Sequence, residues 1–502
     1  MSLASIVSPT GVSPTGGVAQ AAPPPGLWHQ ERAAAADETP ASGTEGTRTA
    51  QAEPAPADAP PPAGTAHLPE EQMRKMIHEE MDRAQKPFEY HGYLRSGFGF
   101  NGKLGDQEAF QAPNAGAKYR LGNETETYGE MIFVNNWLRP ETAADSLFFK
   151  TEILLTFVTK NDSNFDATDV FTVREAFAQA GGVIPSMPDL KFWAGQRYYH
   201  RLDTHIHDFF YLSMSGYGGG FEDLALGNEA AGKLAGGYFG ASTSADTDLD
   251  GVVDELTDNG RPVKHVLDLR LEDVHLGGLA TFWLAGSHYA GGDRIVGGDE
   301  LPDSNGFAAG FIHTIPEFLG GFNKLAVQYG TGPLLDYDVF YRTPAEKPQD
   351  PNPGLTVEDA FRFRALDALV LEMAPSLSFM GTVLFQLTDF GAENDSRQTW
   401  VSIGGRPIFH FGDHVNLAFE AGFDYTKSDF GGPDGGELAG WLSKLTVAPE
   451  IMAGPTFFGR PAIRAYFTYA FWADDFEGLI GGTPYLNDTA GIGAGLQIES
   501  WW

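Results

Sequence analysis

Side chains of an extended strand alternate between two faces, and several stretches of this chain change polarity with that period. In His91-Gly-Tyr-Leu-Arg95, the side chains of His91, Tyr93 and Arg95 fall on one face, while Tyr90, Leu94 and Phe98 fall on the other. Arg120, Glu124, Glu126, Tyr128 and Glu130 fall together, opposite Leu121, Thr125 and Met131, which predicts one strand across that stretch. Near the C-terminus, Gln497, Glu499 and Trp501 oppose Ile492, Leu496, Ile498 and Trp502. Clean period-2 runs also cover Lys324 to Tyr329, Asn416 to Tyr425 and Ile463 to Phe471. A wet face carrying selected aromatic rings, backed by an apolar face, suits a membrane-spanning barrel wall better than a water-soluble core.

The connections strengthen that reading. Leu319-Gly-Gly-Phe322 and Pro375-Ser376 are short, whereas Gly236 to Lys264, Gly291 to Gly306, Gly332 to Thr356 and Ser428 to Glu437 are long and polar. Short turns on one rim and long loops on the other mark an outer-membrane barrel. The 415 residues from Phe88 to Trp502 allow about 18 strands at roughly 23 residues per strand and connection. The expected fold is therefore all-β, a transmembrane antiparallel barrel, occupying 88–502 as one domain.

Before Phe88 the texture differs. Residues 1–64 are rich in Ala, Pro, Gly, Ser and Thr, too poor in apolar area to offset their ordering entropy, and are read as disordered. Met1 to Ala22 lacks Lys and Arg, and Pro9, Gly11 and Pro14 interrupt its one apolar patch, although Ala19-Gln-Ala21 resembles a cleavage site. An atypical export signal or a start further upstream both stay open. Residues 65–87 are expected to hold a periplasmic helix, Leu68 to Gln85, with Pro69 in its first turn and Met73, Ile77, Met81 and Ala84 along one side. Self-association as a short parallel coiled coil and a tether lying on the barrel rim are the two readings.

Composition excludes more than it selects. Hydrophobic residues make up 42% and mean hydropathy is −0.22, values that a barrel with a polar lining shares with soluble proteins. No run of about 20 residues is apolar enough for a spanning helix; the best, Ala365 to Phe385, contains Asp367, Glu372 and Pro375. A net charge of −34 removes nucleic acid as a partner. There is no cysteine, hence no disulfide and no thiolate metal site. No G-x-S-x-G, phosphate loop or H-E-x-x-H occurs, so nothing points to an enzyme.

Longer motifs carry a resemblance. Phe88-Glu-Tyr-His-Gly-Tyr-Leu-Arg-Ser-Gly97 and Ala117-Lys-Tyr-Arg-Leu-Gly-Asn-Glu-Thr-Glu-Thr-Tyr-Gly-Glu130 open the series. Trp193-Ala-Gly-Gln-Arg-Tyr-Tyr-His-Arg-Leu-Asp203, His207-Asp-Phe-Phe-Tyr211, Gly321-Phe-Asn-Lys324, Arg460-Pro-Ala-Ile-Arg464 and Ile498-Glu-Ser-Trp-Trp502 follow in order. Together they resemble the maltoporins, over nearly everything after Phe88. The resemblance implies a homotrimeric, 18-stranded porin of the bacterial outer membrane with an inward-folded constricting loop. It also implies passive diffusion of maltodextrins or related oligosaccharides, without a cofactor, along a path of rings flanked by charges. Rings meet the C–H faces of sugars, and charged groups exchange hydrogen bonds with hydroxyls.

Residue by residue, the resemblance places Tyr93, Tyr128 and Trp501 on that path, and Phe458 where a tryptophan is expected. Phe165 stands for the loop tryptophan that a neighbouring subunit contributes, and Phe210 for the constriction tyrosine, without its hydroxyl. Near Gly306 the alignment gives Ala309, with Phe307 on the same face as a substitute ring. The implied polar track is Arg95, Arg120, Glu130, Arg174, Arg201, Asp203 and Asp208, whose alternative role is an internal ion-pair network that stiffens the constricting loop. The cysteine pair of the enteric relative falls on Ala109 and Thr125. The N-terminal helix is more like the sucrose porin, leaving a sucrose-type channel, or a general diffusion pore without sugar sites, as alternatives. A soluble β-rich carbohydrate-binding protein is the reading from another class.

Two smaller constellations remain. Asp246, Asp248, Asp250 and Asp254 match a D-x-D-x-D-G calcium loop in an extracellular position, although position 12 is Thr257. A weak calcium site and an acidic solvated loop are both compatible with it. His200, His205 and His207 lie near Asp203 and Asp208 and are read as channel lining in preference to a metal site.

Overall fold

The computed structural model describes residues 87–140, 146–159, 170–242, 263–293, 300–301, 303–339, 359–391, 396–432 and 435–502. The N-terminal segment with its expected helix, Phe165 and the acidic run Asp246–Asp254 lie outside the described residues.

The wall is built in chain order from β1 (Phe88–Asn101), β2 (Thr127–Leu138), β3 (Phe148–Thr159), β4 (Val170–Gly181) and β5 (Lys191–Arg197). A short hairpin, β6 (Arg201–Thr204) and β7 (Phe209–Ser213), interrupts it before β8 (Gly216–Ala225), β9 (Lys233–Ser242), β10 (Val263–His275) and β11 (Leu279–Tyr289). The two-residue strands β12 (Gly292–Asp293) and β13 (Glu300–Leu301) pair with each other. The wall resumes with β14 (Ser304–Phe318), β15 (Gly321–Thr331), β16 (Phe361–Ala374), β17 (Leu377–Asp389) and β18 (Arg397–His410). It ends with β19 (Val415–Ser428), β20 (Leu438–Met452), β21 (Ala462–Trp472) and β22 (Ala490–Trp501).

Eighteen of these strands form one antiparallel sheet, and it closes because β22 pairs with β1 from Tyr93↔Trp501 to Asn101↔Gly493. Closure leaves no strand edge, so backbone donors and acceptors of the wall are satisfied internally, as a bilayer requires. The stretch Ala365 to Phe385 is the β16–β17 hairpin, turning at Pro375-Ser376.

The alternation read from sequence is the two-sidedness of this wall. On β19, Val415, Phe419 and Phe423 are exposed on the outside while Asn416, Glu420, Asp424 and Thr426 are buried inside. On β22, Leu496 and Ile498 face out, as does Trp502 just after it, and Gln497 and Glu499 face in. Tyr90 lies 5.4 Å from Phe133 and 5.8 Å from Trp502, an outer cluster at the rim that holds the short turns. Such rings sit comfortably at a headgroup boundary. No helix among the described residues is long and apolar enough to cross a membrane; the crossing is made by strands.

One expected element ends early. The polar alternation from Arg120 to Glu130 predicts a single strand, but β2 begins at Thr127. Leu121-Gly122 makes a turn with Gly122 at φ +70°, and Leu121 is buried where strand parity would have put it outside. Beyond the exposed turn 102–106, the stretch from Gln107 to Glu124 is folded into the bore and largely enclosed, so side-chain polarity no longer reports a face.

Candidate functional site

Three loops narrow the bore: 102–126, 198–215 with its β6–β7 hairpin, and 332–339. The hairpin is pinned on several sides. Arg364 donates to the Tyr211 carbonyl at 2.7 Å, Ser213 N–H to Tyr337 O at 3.1 Å, and Arg120 N–H to Ile206 O at 3.0 Å. His207 Nε2 lies 3.1 Å from Ser402 Oγ, and its ring is 4.4 Å from that of Tyr119. Burial of Thr204, Ile206, Tyr211 and Leu212 adds a hydrophobic anchor to these bonds.

Along one side of the bore, rings follow one another. Tyr128 and Tyr93 are 6.1 Å apart, Tyr93 and Trp501 6.4 Å and nearly parallel, Trp501 and His205 6.2 Å, and His205 and Phe458 5.5 Å. Strand pairing explains the first three: Tyr93 faces Trp501 directly across the β1–β22 seam, and Arg95 faces Tyr128 across β1–β2. Phe458 arrives on an inward-folded turn at the short-turn rim. Tyr198 packs against the Tyr93–Tyr128 cluster. Arg201 then lies between two rings, 4.2 Å from Tyr198 and 3.6 Å from Phe210, which joins Phe210 to the series. At such distances a guanidinium gains from both ring faces.

Phe307 is not brought to this group, and neither is Ala309. Phe307 is 48% exposed on the outer face of β14, whereas Ser304 and Ala308 turn in. The reason is close packing inside. A Cβ on Gly306 would come within 2.9 Å of Leu334 N, and one on Gly330 within 2.9 Å of the Tyr337 ring. Small residues take the inner positions so that 332–339 can seat against the wall, and Tyr337 with Trp283, 6.1 Å apart, fills the space instead.

The polar candidates divide into two groups. Arg95 pairs with Glu124 at 3.1 Å, with Asp208 at 3.1 Å and with Glu126. Arg120 pairs with Glu124 and Glu499, each at 3.0 Å, and donates to Tyr93 Oη at 2.9 Å. Glu499 also takes Arg460 at 2.7 Å and Arg464 at 2.8 Å, so three arginines converge on one carboxylate. Glu124, on the loop, is held at about 2: burial works to raise it, and Arg120 and Arg95 outweigh that. These groups are committed to each other. In the second group, Arg201 Nη1 and Asp203 Oδ2 are buried without a partner among the described residues. Asp203 is pushed up to about 7 by burial, which exceeds the pull of Lys324, Arg201 and Arg120. Glu130 accepts from Tyr128 Oη at 2.7 Å and has Arg201, Arg174 and Arg95 as charged neighbours. Arg174 sits where the β3–β4 register shifts.

Sequence reasoning missed His205 as a link between rings, Tyr198, and Glu499 as a hub. Glu499 shares the Trp501 face in the pattern, but the convergence of residues 120, 460 and 464 on it is a long-range fact. Among the described residues, no group of three His, Cys, Asp or Glu is placed to hold a metal ion.

A closed 18-stranded barrel, apolar outside and charged within, defines a multi-pass channel of the bacterial outer membrane. The chain belongs to the LamB porin family, whose model matches residues 88–502. It is an outer-membrane porin of the sugar-channel type and not an enzyme. Among solved structures, the chain is similar to the outer-membrane expressed OmpT of Vibrio cholerae, at 11% identity over 83% of this chain and 99% of that one, TM-score 0.34. The in-vitro folded, trimer form of OmpT from Vibrio cholerae gives 12%, 83%, 99% and 0.32.

Proposed function

We propose that the protein is a homotrimeric channel for facilitated diffusion of maltodextrins or closely related oligosaccharides. The observation that supports this best is the unbroken series Tyr128–Tyr93–Trp501–His205–Phe458, with neighbouring centroids 5.5–6.4 Å apart. Trp501 and Phe458 are partly exposed, whereas Tyr93, Tyr128 and His205 are at most 3% exposed and back them. A glucan sliding its apolar faces over the open rings meets no single deep well, and conduction needs many weak contacts more than one strong one. Arg201 and Asp203, with uncommitted hydrogen-bonding atoms, exchange bonds with passing hydroxyls. Arg95, Arg120 and Asp208, each engaged in ion pairs, set the shape of the bore. The trimer rests on the family likeness alone.

The test is ion current through the protein in planar bilayers during titration with maltohexaose and, separately, with sucrose. Saturable block by maltohexaose in the submillimolar to millimolar range supports the reading. Unblocked current with both sugars assigns a general diffusion pore, and tighter block by sucrose assigns a sucrose-type channel.

A further inference from the structure

The turn 453–461, which carries Phe458, is anchored by a side chain far away in sequence. The Phe457 backbone N–H donates to Glu372 Oε1 at 2.9 Å. Glu372 ends β16 and the turn follows β20, so three strands separate them, roughly 19 Å along the wall at about 4.8 Å per strand. The turn therefore folds inward across the mouth of the bore. There the Phe457 ring, 1% exposed, joins the apolar inner patch of Val370, Met380, Ile408, Ala418 and Ala448.

Glu372 is itself held by a lateral chain over four adjacent strands. Ser378 on β17 donates to Glu372 Oε2, His410 Nε2 on β18 lies 2.7 Å from Ser378 Oγ, and His410 Nδ1 bonds Asn416 Oδ1 on β19. The order Ser–His–Asn is that of a nucleophile–base relay, but Ser378 is fully buried and its hydroxyl is already committed to a carboxylate, so no electrophile reaches it. What the chain does is fix the Glu372 carboxylate.

The consequence reaches the ring series. Phe457 and Phe458 are 5.0 Å apart and nearly perpendicular, and His205 contacts both rings, at 6.2 and 5.5 Å. Where Phe457 is seated decides where Phe458 stands. Gly459 N–H to Thr456 O at 3.1 Å and Ala453 N–H to Pro461 O at 3.2 Å close the turn upon itself. Arg460 ties its far end to Glu499 at 2.7 Å on the β22 side, and the Phe457–Glu372 bond ties it toward β16.

We propose that Glu372 is a positioning residue: through the Phe457 backbone it seats the turn 453–461 and thereby places Phe458 as the periplasmic end of the sugar path. The seating itself stands on geometry; its effect on sugar rests on the function proposed above.

Two readouts separate these. The chain has no cysteine, so Thr456→Cys, exposed on the turn, takes a single spin label. In Glu372→Leu the label becomes more mobile, and maltohexaose added on the periplasmic side associates about fivefold more slowly, with the rate from the extracellular side unchanged. Glu372→Gln stays near wild type in both, because its amide oxygen still accepts from Phe457 and its nitrogen donates to Ser378. Unchanged label mobility in Glu372→Leu, with the barrel intact by gel migration, overturns the seating. Raised mobility with equal association rates from both sides overturns the role in the sugar path. Absence of sugar block in the unsubstituted protein overturns the proposed function, and the label then still decides on Glu372.

Discussion

Glu499 is the residue on which the inner wall is most dependent. Arg120, Arg460 and Arg464 all end on it, and Tyr93 Oη donates to Oε1 at 3.0 Å. Removing one partner of a buried charge network leaves the others uncompensated, at about 3–5 kcal/mol. Glu499→Ala is therefore expected to lower the temperature at which the folded band converts on gels, and to lower it more than Glu372→Ala does. At Tyr128 the expectation concerns function. Tyr128→Ala deletes one end of the ring series and weakens maltohexaose block by about two- to thirteenfold, the worth of one ring contact of about 0.5–1.5 kcal/mol, read as the sugar concentration giving half block. Tyr93, Tyr128 and Trp501 were legible in the sequence as inward-facing rings because parity and motif agree at each; Phe458 rested on motif alone, since it lies on a turn between β20 and β21 where parity does not apply. Phe307 was not, since parity fixes which residues share a face but not which face is inside; the packing of Tyr337 and Leu334 decides that.

At the scale of elements, the β6–β7 hairpin separates a rigid polar frame from a responsive one. Asp203 titrates at about 7 because burial raises it against its cationic neighbours. Below that pH the group is neutral, and above it the bore gains a negative charge. The expected result is that cation-over-anion permeability rises between about pH 6 and 8, measured by reversal potential in a salt gradient, and that Asp203→Asn rises less steeply over that window. An unaltered slope in the variant would assign the titration to another group. Strands such as β15, β19, β21 and β22 were readable from period-2 alternation alone. The loop 102–126 was misread past Arg120, because its polar residues answer to Arg95, Glu499 and the hairpin instead of to water and lipid.

The whole molecule is defined by its seam. Nine residue pairs join β1 to β22, and a chain ending at Gly495 would lose the six from Phe98↔Leu496 to Tyr93↔Trp501. That truncation is expected to abolish the compact, heat-modifiable form on gels, since an open edge in lipid strands unpaired backbone groups. Two-sidedness could be reckoned from alternation, whereas the strand number came with the family resemblance and chain length only allowed it. Closure was expected from sequence, but the pairing register of the seam, and the inward turn that brings Phe458 to His205, could not be reckoned, because both depend on contacts between residues hundreds of positions apart.

The central claim is that sugar travels along the rings of one side of the bore. An experimental structure of the protein with maltohexaose bound tests it most directly. Glucose units lying flat along Phe458, Trp501, Tyr93 and Tyr128, with hydroxyls toward Arg201 and Asp203, are the predicted result. Sugar ordered instead against the β10–β15 wall, away from those rings, would contradict it.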